Sequence, residues 1–280
     1  LIAAGFRHLP QTKVQESGLF DWKGLLTLAL LLASFTYGIN NLESSDFIQS
    51  LLSLKVFPFL LASAIFLAIN IFIERRAVNP VIKLNYLQNR QFVLAGIIAV
   101  ATGIIQSSFV FIPSFAVGVF AISASEASFM LVPLVLATAI GSPVFGRLID
   151  IYGSRLIIIL GILLAGTGFF FLQSVEQSRF LFYVSGMLIG LGLSVLSGRS
   201  LRYIMLNETT VTDRAVTQGM LTIFISLGQL TGASLIGVII ARVPDMTGYR
   251  NIFLYQALLL ILVLGSAFFL KSHAREKQNA

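Results

Sequence analysis

No cysteine occurs in the 280 residues, which excludes disulfides, thiol catalysis and thiolate metal sites. Histidine is almost as scarce. His8 and His273 both lie outside the apolar runs, so no histidine pair can build a metal site within a membrane. Charge is thin as well: only 11% of residues are charged, against about a quarter in an ordinary soluble domain. The acids sit at the ends of apolar runs or between them, and none falls near the middle of one. An intramembrane hydrolase needs a nucleophile with an acid or base partner at depth, and neither such a pair nor a ligand cluster exists; no enzyme and no cofactor are expected. The formal net charge is +7, but the basic residues are scattered between apolar runs rather than gathered into a stripe, so no nucleic-acid partner follows from it.

Apolar residues fill the space that charge leaves. They make up 56% of the chain, and the mean hydropathy is +0.90. A spanning helix needs about 20 mostly apolar residues. Eight runs qualify, at 24–39, 56–73, 92–120, 127–148, 156–172, 180–204, 216–241 and 252–270. The fold class expected is an all-α polytopic membrane protein, its partner the lipid bilayer. The third run is long and holds Pro113, which suits one tilted or kinked helix or a helix with an interfacial tail. Of the basic residues, 15 fall in alternate connections and the tail, and 4 in the others: Lys55, Arg179, Arg242 and Arg250. That asymmetry predicts a multi-pass protein of the cytoplasmic (inner or plasma) membrane with the basic side and the C-terminus in the cytoplasm.

The chain opens LIAAGF and then Arg7 and His8, which reads as the tail of an earlier span. The expected organisation is therefore the end of a preceding span and a cytoplasmic loop at 1–23, a two-helix unit at 24–73, a basic connection at 74–91, six spans at 92–270 and a cytoplasmic tail at 271–280.

Neutral polar residues do lie inside the runs. Gln218, Thr222, Ser226 and Gln229 recur at spacings of four, four and three and share one helical face, as do Thr102, Gln106, Phe109 and Pro113. Such faces suit a central cavity lined by amides, hydroxyls and rings, fit for an amphipathic or cationic organic molecule. They equally suit hydrogen bonding between helices. Small residues four apart (Gly228 and Gly232, Gly186 and Gly190, Gly161 and Ala165) point to close backbone approach.

The densest charge near hydrocarbon is GRLIDIYGSR, from Gly146 to Arg155. Asp150 closes an apolar run, where a carboxylate meets the negative end of the helix dipole, a disadvantage of about 0.3–1 kcal/mol when exposed. A cation or a neighbouring helix N-terminus should compensate it, and Arg147 and Arg155 are the local candidates. Gly146 permits close packing, and Gly153 permits a positive φ in the turn.

This stretch resembles the cytoplasmic signature loop of the major facilitator superfamily, G-x-x-x-D-(R/K)-x-G-R-(R/K). Gly146, Asp150, Gly153 and Arg155 match, whereas Ile151 and Ser154 stand where the family has basic residues, as in the degenerate second-half copy. FDWKG before an apolar run, the two extra spans and NPVIKLNYLQNRQF resemble the fourteen-span drug:proton antiporters, whose two central helices are inserted between two six-helix halves. TDRAVTQGMLTIFISLGQLTGASLIG is similar to their penultimate helix. The resemblance implies two inserted helices plus a six-helix half-bundle, with an N-terminal six-helix half as its partner. It further implies proton-coupled efflux of a small organic substrate by alternating access, and a gate formed by Gly146, Arg147, Asp150, Gly153 and Arg155. A facilitator of another solute (a sugar, siderophore or amino-acid derivative) and a non-transporting membrane scaffold derived from a transporter are the alternatives.

Overall fold

The structure is a computed structural model that describes residues 21–42 and 47–271. The reading of the first residues as the tail of a preceding span, and the charges at both chain ends and at Glu43 and Asp46, lie outside the described residues.

Among the described residues eight helical stretches are long and apolar enough to cross a membrane: Trp22–Asn40, Phe57–Glu74, Arg90–Val110, Ala124–Tyr152, Ser154–Gln173, Arg179–Asn207, Val211–Arg242 and Met246–Ala267. Each falls on one of the eight apolar runs, although the third span ends at Val110 and leaves residues 112–120 of its run as a separate helix; the chain is a multi-pass membrane protein. The helices are α1 (Trp22–Asn40), α2 (Phe47–Leu51), α3 (Phe57–Glu74), α4 (Arg90–Ser107), α5 (Ile112–Phe120), α6 (Ala124–Phe129), α7 (Val132–Tyr152), α8 (Ser154–Gln173), α9 (Arg179–Leu196), α10 (Arg199–Asn207), α11 (Arg214–Arg242) and α12 (Met246–Ala267).

Polar side chains start these helices where hydrocarbon offers no water to their first N–H groups. Asp21 accepts from Gly24 N at 2.8 Å, Asn89 from Gln91 N at 2.8 Å, Ser178 from Leu181 N at 3.2 Å and Asp245 from Thr247 N at 3.0 Å. Ser123 and Glu126 form a reciprocal capping box. Three of the acids are thus helix caps, which accounts for their positions at span ends.

Three spans are interrupted. The third passes through a single 3-10 turn, Ser108–Val110, before α5 begins, because Pro113 in its first turn cannot donate to the preceding helix. The fourth restarts at α7 with Pro133 in its first turn. The sixth breaks at Ser197 and Gly198, so the apolar run 180–204 is two helices rather than one.

No hydrophobic force draws helices together within lipid, so close contact and interior hydrogen bonds must hold the bundle. The tightest seam joins α4 to α11. A Cβ at Gly103 would meet Ile225 O, and one at Gly228 would meet Val100 O, both at under 3.0 Å, so each backbone lies directly on the other. Gly192 lies on Ala165 and Gly161 in the same way, joining α9 to α8. Five fully buried phenylalanines fill the interior: Phe92, Phe115, Phe169, Phe182 and Phe253. Phe115 meets Phe253 edge to face at 5.0 Å, an arrangement worth about 0.5–1.5 kcal/mol beyond area alone. Large apolar side chains such as Ile65, Ile140 and Leu262 point outward, as a lipid-facing surface requires.

Helices α1 and α3 form a hairpin. Buried Asn70 donates from Nδ2 to Gly24 O at 3.0 Å and to Thr27 Oγ1 at 2.9 Å, fixing their relative height. The hairpin meets the bundle at α11, where Ser234 donates to Asn40 Oδ1.

Candidate functional site: a signature turn and an amide face

The turn between α7 and α8 is a single residue. Gly153 has φ 84°, in the region that favours glycine, and its N–H closes α7 on Ile149 O at 2.8 Å. Asp150 and Arg147 are exposed and Arg155 is half-buried. The carboxylate of Asp150 pairs with Arg199, at 3.6 Å, while neither Arg147 nor Arg155 comes within ion-pair distance. The expected local pairing is therefore replaced by one across helices. Two features explain it. Side chains lean toward a helix N-terminus, which carries Arg147 away from an acid three residues further on. Buried Gly146 leaves α7 bare where the Arg199 side chain passes: a Cβ there would stand 3.9 Å from Arg199 Cδ. Arg199 is the first residue of α10. The helix break at Gly198, which puts it there, had no local signal in the sequence.

A second group of polar contacts closes the same end of the molecule. Glu208 holds Lys271 and accepts from Asn89 Nδ2 at 2.8 Å. Asp213 accepts from Lys83 Nζ at 2.6 Å and from the Tyr86 hydroxyl at 2.7 Å. Gln91 accepts from Lys271 N at 2.9 Å and donates to Phe269 O at 3.1 Å. Three segments distant in sequence (residues 83–91, the turn before α11 and the end of α12) are thereby bound together.

Between these contacts and the far end lie the neutral polar residues. Gln106 donates to Ser197 Oγ at the break between α9 and α10, and accepts from Gln229 Nε2 at 2.7 Å. Gln229 and Thr222 are exposed, Gln218 and Ser226 half-buried, so the α11 face points out of this bundle rather than into it. Thr222 donates to Gln218 O at 3.0 Å, while Gln218 Nε2 is buried without a partner. Thr102 is separate. It is fully buried and its hydroxyl donates to Ile98 O at 2.7 Å, so it belongs to the bundle interior and not to the open face. Phe109 packs against the apolar core. Gln256, which the sequence reading did not single out, completes the interior: it is buried and donates to Ser108 Oγ at 2.9 Å and to Ile104 O at 3.3 Å. A groove of 390 Å³ beside α4 is lined by apolar residues including Val93, Ile97, Val100 and Phe224.

The comparisons with known proteins agree with this architecture. The chain is similar to the uncharacterized MFS-type transporter YfiU of Bacillus subtilis, 25% identical over 252 residues that are 89% of this chain and 48% of YfiU. It is also similar to multidrug resistance protein 3 of the same organism, 24% identical over 242 residues (83% of this chain, 45% of the relative). The multidrug resistance protein B homolog of Mycobacterium tuberculosis is 24% identical over 235 residues (81% and 42%). The chain thus spans about half the length of the curated relatives it matches. The family profile of the Major Facilitator Superfamily matches residues 94–280, and with eight spans in the structure behind it this chain belongs to that superfamily.

Proposed function

We propose that this chain forms the C-terminal part of a secondary transporter: a two-helix insert at 24–73 and a six-helix half-bundle at 92–270. The complete protein exports amphipathic or cationic organic compounds across the cell membrane in exchange for protons, by alternating access. The observation that carries this reading is the amide and hydroxyl face of Gln218, Thr222, Ser226 and Gln229, continued by Gln106, which opens away from its own bundle and carries no charge. A second half-bundle set against that face closes it into a cavity. Neutral hydrogen-bonding groups there accept organic cations without a fixed counter-charge to trap them. The names of two relatives, both multidrug resistance proteins, support the substrate class. In this reading the basic end faces the cytoplasm, and the Asp150–Arg199 pair at the signature turn helps hold one of the two facing states. The coupling acid of the transport cycle belongs to the partner half, since no acid lies at membrane depth in this one.

Efflux from membrane vesicles tests the proposal. The full-length protein should move a lipophilic fluorescent cation only while a proton gradient is maintained. Replacing Gln106 and Gln229 together by leucine should lower the rate about tenfold or more, in line with loss of a polar group that orients substrate. Gradient-dependent flux that is indifferent to both glutamines would overturn it.

A further inference from the structure

The foot of the α1–α3 hairpin holds two carboxylates whose arrangement the transport reading does not use. Glu74, the last residue of α3, is 4% exposed. Its Oε2 accepts from Ile82 N at 3.1 Å, while its Oε1 is buried with no hydrogen-bond partner. Asp21 caps α1 through Oδ1, and its Oδ2 is likewise buried and unpartnered. Both orphan oxygens converge. A Cβ at Gly24 would stand under 3.0 Å from Asp21 Oδ2 and from Glu74 Oε1, so the two oxygens crowd the same bare Cα.

Among the described residues no hydrogen bond reaches either orphan oxygen. Both Asn70 amide hydrogens are engaged by Gly24 O and Thr27 Oγ1. Thr27 Oγ1 in turn donates to backbone carbonyls. The cations of the adjoining elements are turned elsewhere: Lys23 on α1 and Arg214 on α11 are exposed, Arg75 follows α3 exposed, Arg76 lies over the Phe72 ring at 4.0 Å, and Lys83 holds Asp213. Among the described residues no ion pair reaches Asp21 or Glu74.

Two ionised carboxylates that face each other in a dry site without a donor are strongly disfavoured, and a single proton removes the conflict. We propose that Asp21 and Glu74 form a proton-binding site at the basic end of the hairpin, with Glu74 as the protonated member. The proton comes from water at that end and converts the Glu74 carboxylate to the neutral acid; it returns to water when the site opens. Asp21 stands at the N-terminus of α1, which it caps through Oδ1. A hard metal ion would have to bring several waters to complete its shell, because Oδ1 of Asp21 and Oε2 of Glu74 are already engaged by backbone N–H groups, whereas a proton needs only the two free oxygens. Ile82 N donates to the same carboxylate, a bond that is stronger to the ionised group, so protonation loosens the connection that follows α3. The proposal stands apart from the transport reading and needs no substrate.

The purified chain in lipid nanodiscs tests it by two readouts. Infrared spectra at neutral pH should contain a protonated carboxyl C=O band that is missing in Glu74→Gln. Trp22, the only tryptophan and the neighbour of Asp21, should report the same titration by its fluorescence. In Asp21→Asn, which keeps a good helix cap, the midpoint should move down by about one pH unit as the like charge is removed. Absence of the carboxyl band in the native protein overturns the proposal, as does a band that sodium or magnesium abolishes. Should Glu74→Gln fail to fold, an unmoved midpoint in Asp21→Asn is sufficient to overturn it.

Discussion

Gln106 is the residue on which most of the polar interior turns. Its amide oxygen receives Gln229 from α11 and its amide hydrogen reaches Ser197 at the break of the sixth span, so one side chain joins three spans. Periodicity placed it on a polar face, but nothing in periodicity distinguishes an open face from a buried one, and Thr102, four residues earlier, is entirely interior. Asp150 teaches the same lesson for charges. Its need for a cation follows from its position at a helix end, whereas the identity of that cation depends on which helix crosses nearby, and Arg199 lies 49 positions away in sequence. Both members of this pair are more than half exposed, so the pair itself contributes little to stability, at most about 1 kcal/mol. Asp150→Asn should leave the unfolding temperature in detergent nearly unchanged while lowering transport by the full-length protein. Exchanging the two charges, Asp150→Arg with Arg199→Asp, should restore part of the rate. A transport assay paired with a thermal melt separates the two effects, and unaltered transport in Asp150→Asn would remove the gate role.

At the scale of elements, the seam between α4 and α11 governs the bundle. Gly228→Ala puts a methyl group against the Val100 carbonyl, with backbone rather than a flexible side chain in the way. Overpacking of this sort costs about 1–3 kcal/mol. Gly219→Ala on the same helix meets nothing within 4 Å and should stabilise by up to about 1 kcal/mol through helix propensity. Opposite shifts in the melting temperature of these two variants check the seam; equal shifts contradict it. The contacts at the basic end form a second joint. Glu208 and Lys271 are largely buried there, with side chains 11% and 28% exposed. Lys271→Met, which strands Glu208, should cost about 1–3 kcal/mol and speed proteolysis of the connection at 77–89. Span number and extent were legible in the sequence, because hydrocarbon thickness fixes the length of an apolar run. The interruptions at Pro113 and Pro133 were marked by residues that cannot donate, the first foreseen as a kink. The break at Gly198 was not foreseen, since glycine is common inside membrane helices and carries no local signal of its own.

For the molecule as a whole, the polar residues divide by position. Charges cluster at the basic end, where they tie segments together, and neutral groups occupy the depth of the membrane, where ions are costly. The α11 face they form is exposed at Thr222 and Gln229 and half-buried at Gln218 and Ser226. On the proposed reading residues 92–270 are one half of the transporter, so residues 1–280 reconstituted alone should catalyse no vectorial flux. The proposed substrate path is the α11 face, and these 280 residues contribute no native cysteine to a labelling experiment there. Single cysteines at Gln106, Thr222 and Ser226 in the full-length protein should react with a small polar thiol reagent, and an amphipathic organic cation should slow that reaction at all three positions. Inertness at every position, or labelling that the cation leaves untouched, would contradict the claim.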